Sequence, residues 1–207
     1  MKTRTTLKFA GIAALMLATI VLLSGTAFAA APAAPGVIAG PTVEPAPTPH
    51  PDTILAHLVW EGRPAQPDKL QQLPLIFVVV RIDVDPPVEK KFDIPYTDEM
   101  GTFSVAVSDL PAGAYEWHAK GPTYLSEMGT FTLAGPPTLE LELGKMRAGD
   151  INGDNVVNIS DFNTLRSSFG KAEGDAGYNP TADITGDKHV DTRDFTILKK
   201  NLGQVGN

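Results

Sequence analysis

The 207-residue chain contains no cysteine and carries 17 basic against 24 acidic residues, a net charge of −7. The absent thiols exclude disulfides, thiol catalysis and thiolate metal sites, and the acidic balance argues against nucleic acid and anionic lipid as partners. The length suits one ordinary domain or two small ones.

The N-terminus reads as a secretory signal. Lys2, Arg4 and Lys8 precede a 15-residue apolar run, 9–23. Ser24-Gly25-Thr26 breaks the run, and Ala27-Phe28-Ala29 follows as an A-x-A cleavage site. The run is short for a bilayer span, and no Cys follows it that would carry a lipid anchor. No later apolar stretch approaches the roughly 18 residues of a spanning helix. The expected mature chain is therefore secreted, extracellular or held at a cell surface, with no membrane span. Removing 1–29 takes away three basic residues and no acidic one, leaving 14 basic against 24 acidic, or −10. That balance suits carboxylates that hold cations.

Residues 30–51, AAPAAPGVIAGPTVEPAPTPHP, lack any apolar period and read as a linker. Residues 52–147 read as all-β. The runs at 54–60 and 75–81 are apolar and of strand length. Phe103, Val105 and Val107 alternate along one run, as do Tyr115, Trp117 and Ala119, and Leu139, Leu141 and Leu143. A further run covers 129–135, and Pro and Gly punctuate each segment. Six or seven short strands in this span predict a β-sandwich.

Residues 148–207 abandon alternation for carboxylates, Asn and Gly, and they contain a repeat. Aligning 150–170 with 183–203 gives identity at 9 of 21 positions. The first copy opens with DINGDNVVNISD, 150–161, and the second with DITGDKHVDTRD, 183–194. Oxygen-bearing residues at positions 1, 3, 5, 7, 9 and 12 of a tight loop are what a hard cation such as calcium requires. In loop one the ligands would be Asp150, Asn152, Asp154, the Val156 carbonyl, Asn158 (directly or through water) and Asp161. In loop two they would be Asp183, Thr185, Asp187, the His189 carbonyl, Asp191 and Asp194. Val157 and Val190, at position 8, are expected to pin each loop to its twin by a short β contact. Position 6 favours Gly for a sharp turn. Asn155 tolerates a left-handed backbone there, and Lys188 tolerates it poorly. With Thr185 also replacing a stronger ligand, loop one should be the tighter of two calcium sites.

Each loop leads into a predicted helix. Phe162, Leu165 and Phe169 fall at i, i+3 and i+7, repeated by Phe195, Leu198 and Leu202, with Gly170 and Gly203 as stops. Neither stripe can be buried alone, so the helices should pack face to face. The strand-like 138–143 leaves no room for a helix before loop one, so each unit is half of an EF-hand.

These paired loop–helix units, joined by Tyr178-Asn179-Pro180-Thr181-Ala182-Asp183, resemble type I dockerin domains over about 60 residues. The resemblance implies calcium-dependent folding and docking onto a cohesin domain or cell-surface scaffold. It also implies partner contacts at loop positions 10 and 11 and on the outer helix faces. Those positions hold Ile159, Ser160 and Arg166 in copy one and Thr192, Arg193 and Lys199 in copy two. Chemically different halves predict one preferred docking orientation.

In the β region, Thr97-Asp98-Glu99-Met100-Gly101-Thr102-Phe103 and then Leu110-Pro111-Ala112-Gly113-Ala114-Tyr115 resemble carboxypeptidase regulatory-like and Cna B-type sandwiches. The implied fold is prealbumin-like, and the motif says little about function. Some such domains form Lys–Asn isopeptide bonds, but 54–60 carries no Lys and Glu116 is out of place to assist. No nucleophile-elbow, zincin or phosphate-loop motif occurs, and His57 and His118 read as structural. The expected whole is a mostly β sandwich plus a small all-α, dockerin-like domain with two calcium loops, and it is not an enzyme. A rival reading makes the tail an appendage on a carbohydrate-binding or polysaccharide-degrading component. Trp60, Trp117, Tyr115 and Tyr124 would then form the sugar-stacking face.

Overall fold

The computed structural model describes residues 51–207, so the signal segment 1–29 and all but the last residue of the 30–51 linker lie outside the described residues. The chain divides into two units, 1–44 and 45–207; all that follows concerns the second.

Where apolar side chains alternate, strands form. They are β1 (Thr53–Trp60), β2 (Leu75–Arg81), β3 (Val88–Ile94), β4 (Thr102–Ala106), β5 (Gly113–Lys120), β6 (Glu127–Leu133) and β7 (Thr138–Met146). They build a three-stranded sheet, β4-β1-β7, and a four-stranded sheet, β3-β2-β5-β6. Neighbours are antiparallel except β1 and β7, which run parallel. The inward faces carry Ile54, Ala56, Leu58 and Trp60 of β1 with Phe77, Val79, Phe103, Val105, Tyr115 and Trp117, all buried. Phe77 and Phe103 meet edge-on at 5.3 Å, joining the two sheets through their rings. Strand β3 is the one that no apolar or alternating run announced. It lies at a sheet edge, where Glu89, Lys90 and Lys91 oppose pairing with other chains and also mask the period carried by half-buried Phe92 and Ile94.

The two sandwich motifs are structural. Thr97 Oγ1 donates to the Gln71 carbonyl (2.6 Å) and accepts from Trp60 Nε1 (3.2 Å). Asp98 Oδ1 accepts from the Met100 and Thr102 amides at 2.9 and 2.7 Å, closing the turn into β4. Gly101 sits at φ 70° with the Leu58 carbonyl 2.2 Å from where a Cβ would be, so no other residue fits. Tyr115 OH donates to the Pro111 carbonyl at 2.8 Å and locks the entry to β5.

After β7 come α1 (Ile159–Ser168) and α2 (Thr192–Asn201), each opened by a capping box, Asn158 with Asp161 and Asp191 with Asp194. Leu165 and Leu198 are buried, and the Phe162 and Phe195 rings lie 6.1 Å apart between the helices. Phe169 and Leu202 depart from the expected stripe. Both are extended C-cap residues, and they point outward at 46% and 53% exposure. The position-8 contact also differs from expectation. Val157 does not pair with Val190. Its amide donates to the Gln204 carbonyl (2.9 Å) and its carbonyl accepts from Gly203 (2.8 Å). Val190 does the same with Lys171 and Gly170 at 2.9 and 2.8 Å. Each loop is thus stitched to the segment that leaves the other copy's helix, and the crossover relates the copies by a pseudo-twofold.

The module and the sandwich share a junction. Glu61, 7% exposed at the end of β1, accepts from Lys200 Nζ (2.5 Å), Asn201 Nδ2 (2.5 Å) and the Ala148 amide (3.2 Å). Burial opposes ionisation of Glu61, yet the Lys200 and Asn201 bonds outweigh it and hold the carboxyl below its ordinary value. Tyr124, fully buried, bridges to Ala148 and donates to the Glu61 carbonyl at 3.2 Å. At Gly62, φ 89°, a Cβ would stand 2.8 Å from the Ile197 side chain.

Candidate metal centre and docking face

In loop one the capping box and Asx-type bonds give the backbone its curl. Asp161, fully buried, accepts from the Asn152 amide (3.1 Å) and the Asn158 amide (2.8 Å), so one carboxylate ties both ends of the loop. Asn152 Oδ1 accepts from the Asp154 amide and Asp154 Oδ1 from the Val156 amide, each at 3.0 Å. The Asn152 amide group beside it holds the Asp154 carboxyl below its ordinary value. Asn158 Oδ1 accepts from Ser160 N at 2.7 Å, so this oxygen serves the α1 cap. Asp150 is fully buried. Its Oδ2 accepts from the Asn155 amide (3.0 Å) and from the Lys120 ammonium of β5. Its Oδ1 is the one buried side-chain polar atom without a partner among the described residues. An orphaned buried carboxylate oxygen is costly, and a cation inside the loop would satisfy it. The residues therefore fit the ion.

Loop two repeats the frame. Asp194, fully buried, accepts from the Thr185 amide (2.9 Å) and the Asp191 amide (2.8 Å). Burial, the largest influence, lifts its carboxyl above the ordinary range. Asp183 Oδ1 accepts from Gly186 N (2.8 Å), and its Oδ2 from Lys188 N (2.8 Å) and Tyr178 OH (3.0 Å). Burial and then the Asp183 bond push the Tyr178 phenol up to about 12, so it stays neutral. The Asp187 and Asp191 carboxylates face the Arg193 guanidinium, at 2.8 and 3.3 Å. Among the described residues no three His, Asp or Glu side chains converge into a ready metal cluster. A full shell in either loop would need the amide, hydroxyl and carbonyl oxygens as well.

Asn155 and Lys188 have φ 67° and 70° and are the non-glycine residues with positive φ among the described residues. Position 6 thus imposes the left-handed turn in both copies. Asn155 has a second use. Its Oδ1 accepts from the Ser126 amide (2.8 Å) and its Nδ2 donates to Ser126 Oγ (2.8 Å), fastening loop one to the sandwich.

Of the expected docking residues, Ile159, Ser160, Arg166, Thr192, Arg193 and Lys199 are all exposed, Ile159 at 67%. Beside them a hollow of about 230 Å³ is lined by Phe162, Leu165, Arg166, Phe169 and Phe195. Arg193 is turned back onto the loop-two carboxylates. The flanks are unequal: Lys200 is held by Glu61, whereas its counterpart Ser167 bonds only within α1, to the Thr164 carbonyl at 2.7 Å.

The four aromatics that the rival reading would stack on sugar do not form a face. Trp60, Tyr115 and Tyr124 are fully buried and Trp117 is 5% exposed, because they fill the core between the sheets and at the junction. His57 bonds Glu142 (2.7 Å) and Gln66 (3.0 Å), and His118 bonds Glu116 (2.8 Å). Lys120, Ser126 and Glu61 escaped sequence reasoning, because nothing in their local context marks them as neighbours of residues some 30 to 140 positions away. Tyr178 stood in the connector and was detectable by its place five residues before Asp183.

Residues 148–203 match the dockerin type I domain family. No match is found among curated proteins. Two solved structures share the fold of most of the chain. One is a C-terminal interface mutant of the type II Cohesin-X-Dockerin complex from Acetivibrio cellulolyticus, with a TM-score of 0.56. The other is an N-terminal interface mutant of the same complex, with a TM-score of 0.53. Each is 21% identical, and each alignment covers 74% of this chain and 97% of the matched chain. The sandwich and the dockerin segment together therefore have the fold of a chain in those complexes.

Proposed function

We propose that this chain is a secreted, non-catalytic docking protein. Its dockerin segment binds two calcium ions and attaches to a cohesin domain, and the preceding sandwich presents and braces it. The division is a signal at 1–29, a linker at 30–51, a sandwich at 52–147 and a docking module at 148–207. The observation that carries the reading is the crosswise-stitched pair of loops, each ordered around a buried position-12 aspartate, with Asp150 Oδ1 left unpartnered at the centre of the first. Calcium would supply a central charge, and the chain's own residues do the rest. Asp161 and Asp194 close the loops, Asn158 and Asp191 start the helices, and the Leu165–Leu198 core holds the outer faces in register. Loop one is the tighter site in this reading, because Asn155 suits the left-handed turn better than Lys188 and Asn152 is a better ligand than Thr185.

Docking uses the exposed faces around Ile159, Ser160 and Arg166 and around Thr192, Arg193 and Lys199. The apolar Ile159 flank stands free while the sandwich holds Lys200, which favours one orientation. Pull-down with an immobilised cohesin domain tests this. Capture in calcium and loss in EGTA are expected, and capture that ignores EGTA would sink the calcium-dependent reading. Ile159→Ala and Thr192→Ala should cost unequal affinity, whereas equal losses would contradict a single orientation.

A further inference from the structure

The first aspartates differ at Oδ1, which is unpartnered on Asp150 and accepts from the Gly186 amide on Asp183, but at Oδ2 they are held alike except for one donor. In each, Oδ2 accepts from the position-6 amide, Asn155 N or Lys188 N. The further donor to that oxygen is neutral in loop two, the Tyr178 hydroxyl, and cationic in loop one, the Lys120 ammonium. Lys120 belongs to the sandwich, at the end of β5, and its ammonium also donates to the Tyr124 carbonyl. The amine is thus anchored on the sandwich side as well as to the loop. Asp150 is fully buried and the Lys120 side chain only 27% exposed, so solvent screens the pair poorly.

We propose that Lys120 is a built-in counter-charge for loop one. It neutralises Asp150 when the loop is empty and lowers the loop's calcium affinity below what its ligands alone would give. This rests on the calcium reading above. A fixed like charge beside a cation site in a partly buried setting opposes entry of a divalent ion. Reciprocity follows: an ion in loop one weakens the Lys120–Asp150 tie by the same factor, so ion loading and the hold of the sandwich on the module are linked. In loop two a neutral phenol holds the same place; the cations beside that loop, Arg193 of α2 on Asp187 and Asp191 and Arg63 of the sandwich against Gly186, are not bonded to its first aspartate.

Calorimetric calcium titration of the full chain tests this, in an Asp187→Asn background that silences loop two. Lys120→Met should bind at least about fivefold more tightly than the parent, the direction set by removing a like charge. Lys120→Arg, which keeps the charge, should bind as the parent does. Lys120→Gln is the second neutral variant, keeping a donor for the Tyr124 carbonyl, and fluorescence of the buried Trp60 and Trp117 checks that the sandwich is intact. Unchanged or weaker binding in both neutral variants overturns the role of Lys120 while leaving the calcium reading in place. No binding in the unmodified chain removes that reading, and this inference with it.

Discussion

Loop one and loop two are built on one repeated frame, yet the fold sets them in different surroundings. Both close on a buried aspartate, both force a left-handed residue at position 6, and both are stitched to the far end of the other copy. Loop one is fastened to the sandwich through Lys120, Asn155 and Ser126. Loop two keeps its bonds mostly to itself and its connector, through Tyr178, Arg193 and Asp187. A repeat therefore sets the geometry of a site, while the neighbour packed against it sets the charge around it.

The largest effect that tests this contrast is ion removal. At calcium about 100-fold above the dissociation constant, each ion adds roughly 2.7 kcal/mol to the folded form. EGTA should abolish the helical far-UV CD signal of 148–207 and spare the sandwich, and a spectrum unchanged by EGTA would refute it. At calcium levels that only partly empty the loops, hydrogen exchange should show loop two opening more than loop one, because Lys120 neutralises Asp150 in the ion-free loop.

The shared core should behave alike in both copies. Leu165→Ala and Leu198→Ala, each at a site 1% exposed, should each cost about 2–5 kcal/mol in a denaturant melt. A large inequality would mean that the copies differ in packing as well as in charge.

The junction comes next. Glu61→Gln places an amide donor among groups that already donate, Asn201 and the Ala148 amide, and should cost about 1–3 kcal/mol. The Glu61 carboxyl is held below its ordinary value, so its contribution is present above that value and is lost as pH falls through the lower, folded one. Thermal melts of the parent should weaken across that acid window, and Glu61→Gln should flatten this part of the profile.

Position 6 gives the smallest effect and the sharpest opposition between copies. Lys188→Gly relieves a left-handed lysine and gives up only an exposed pairing with Glu173, so it should stabilise the chain by roughly 1 kcal/mol. Asn155→Gly relieves the same strain but loses the bonds to Ser126, so it should destabilise. Same-sign shifts in the two variants would break the contrast.

Much of this was legible in the chain itself. Apolar runs of strand length announced β1 and β2, period-two runs announced β4, β5 and β7, a further run announced β6, and the repeat announced both loops, both helices and the position-6 turns. Edge strand β3 was hidden because its charges serve to block pairing rather than to show a period. Phe169 and Leu202 fitted the helical spacing, but each sits at an extended cap where that spacing no longer applies.

Local order follows from neighbours in sequence, and so the sequence alone determined six of the seven strands, the loops, the helices and which residues are candidate ligands. Long-range placement does not follow from local spacing. Tertiary structure alone decided that Val157 pairs beyond α2, that Trp60 and Tyr124 are core rather than surface, and that Glu61 receives Lys200 and Asn201. It also decided that Lys120 reaches Asp150 from the sandwich. The reason is physical: a buried carboxylate takes its partner from whatever the fold brings within hydrogen-bond reach, and packing, unlike periodicity, chooses that partner.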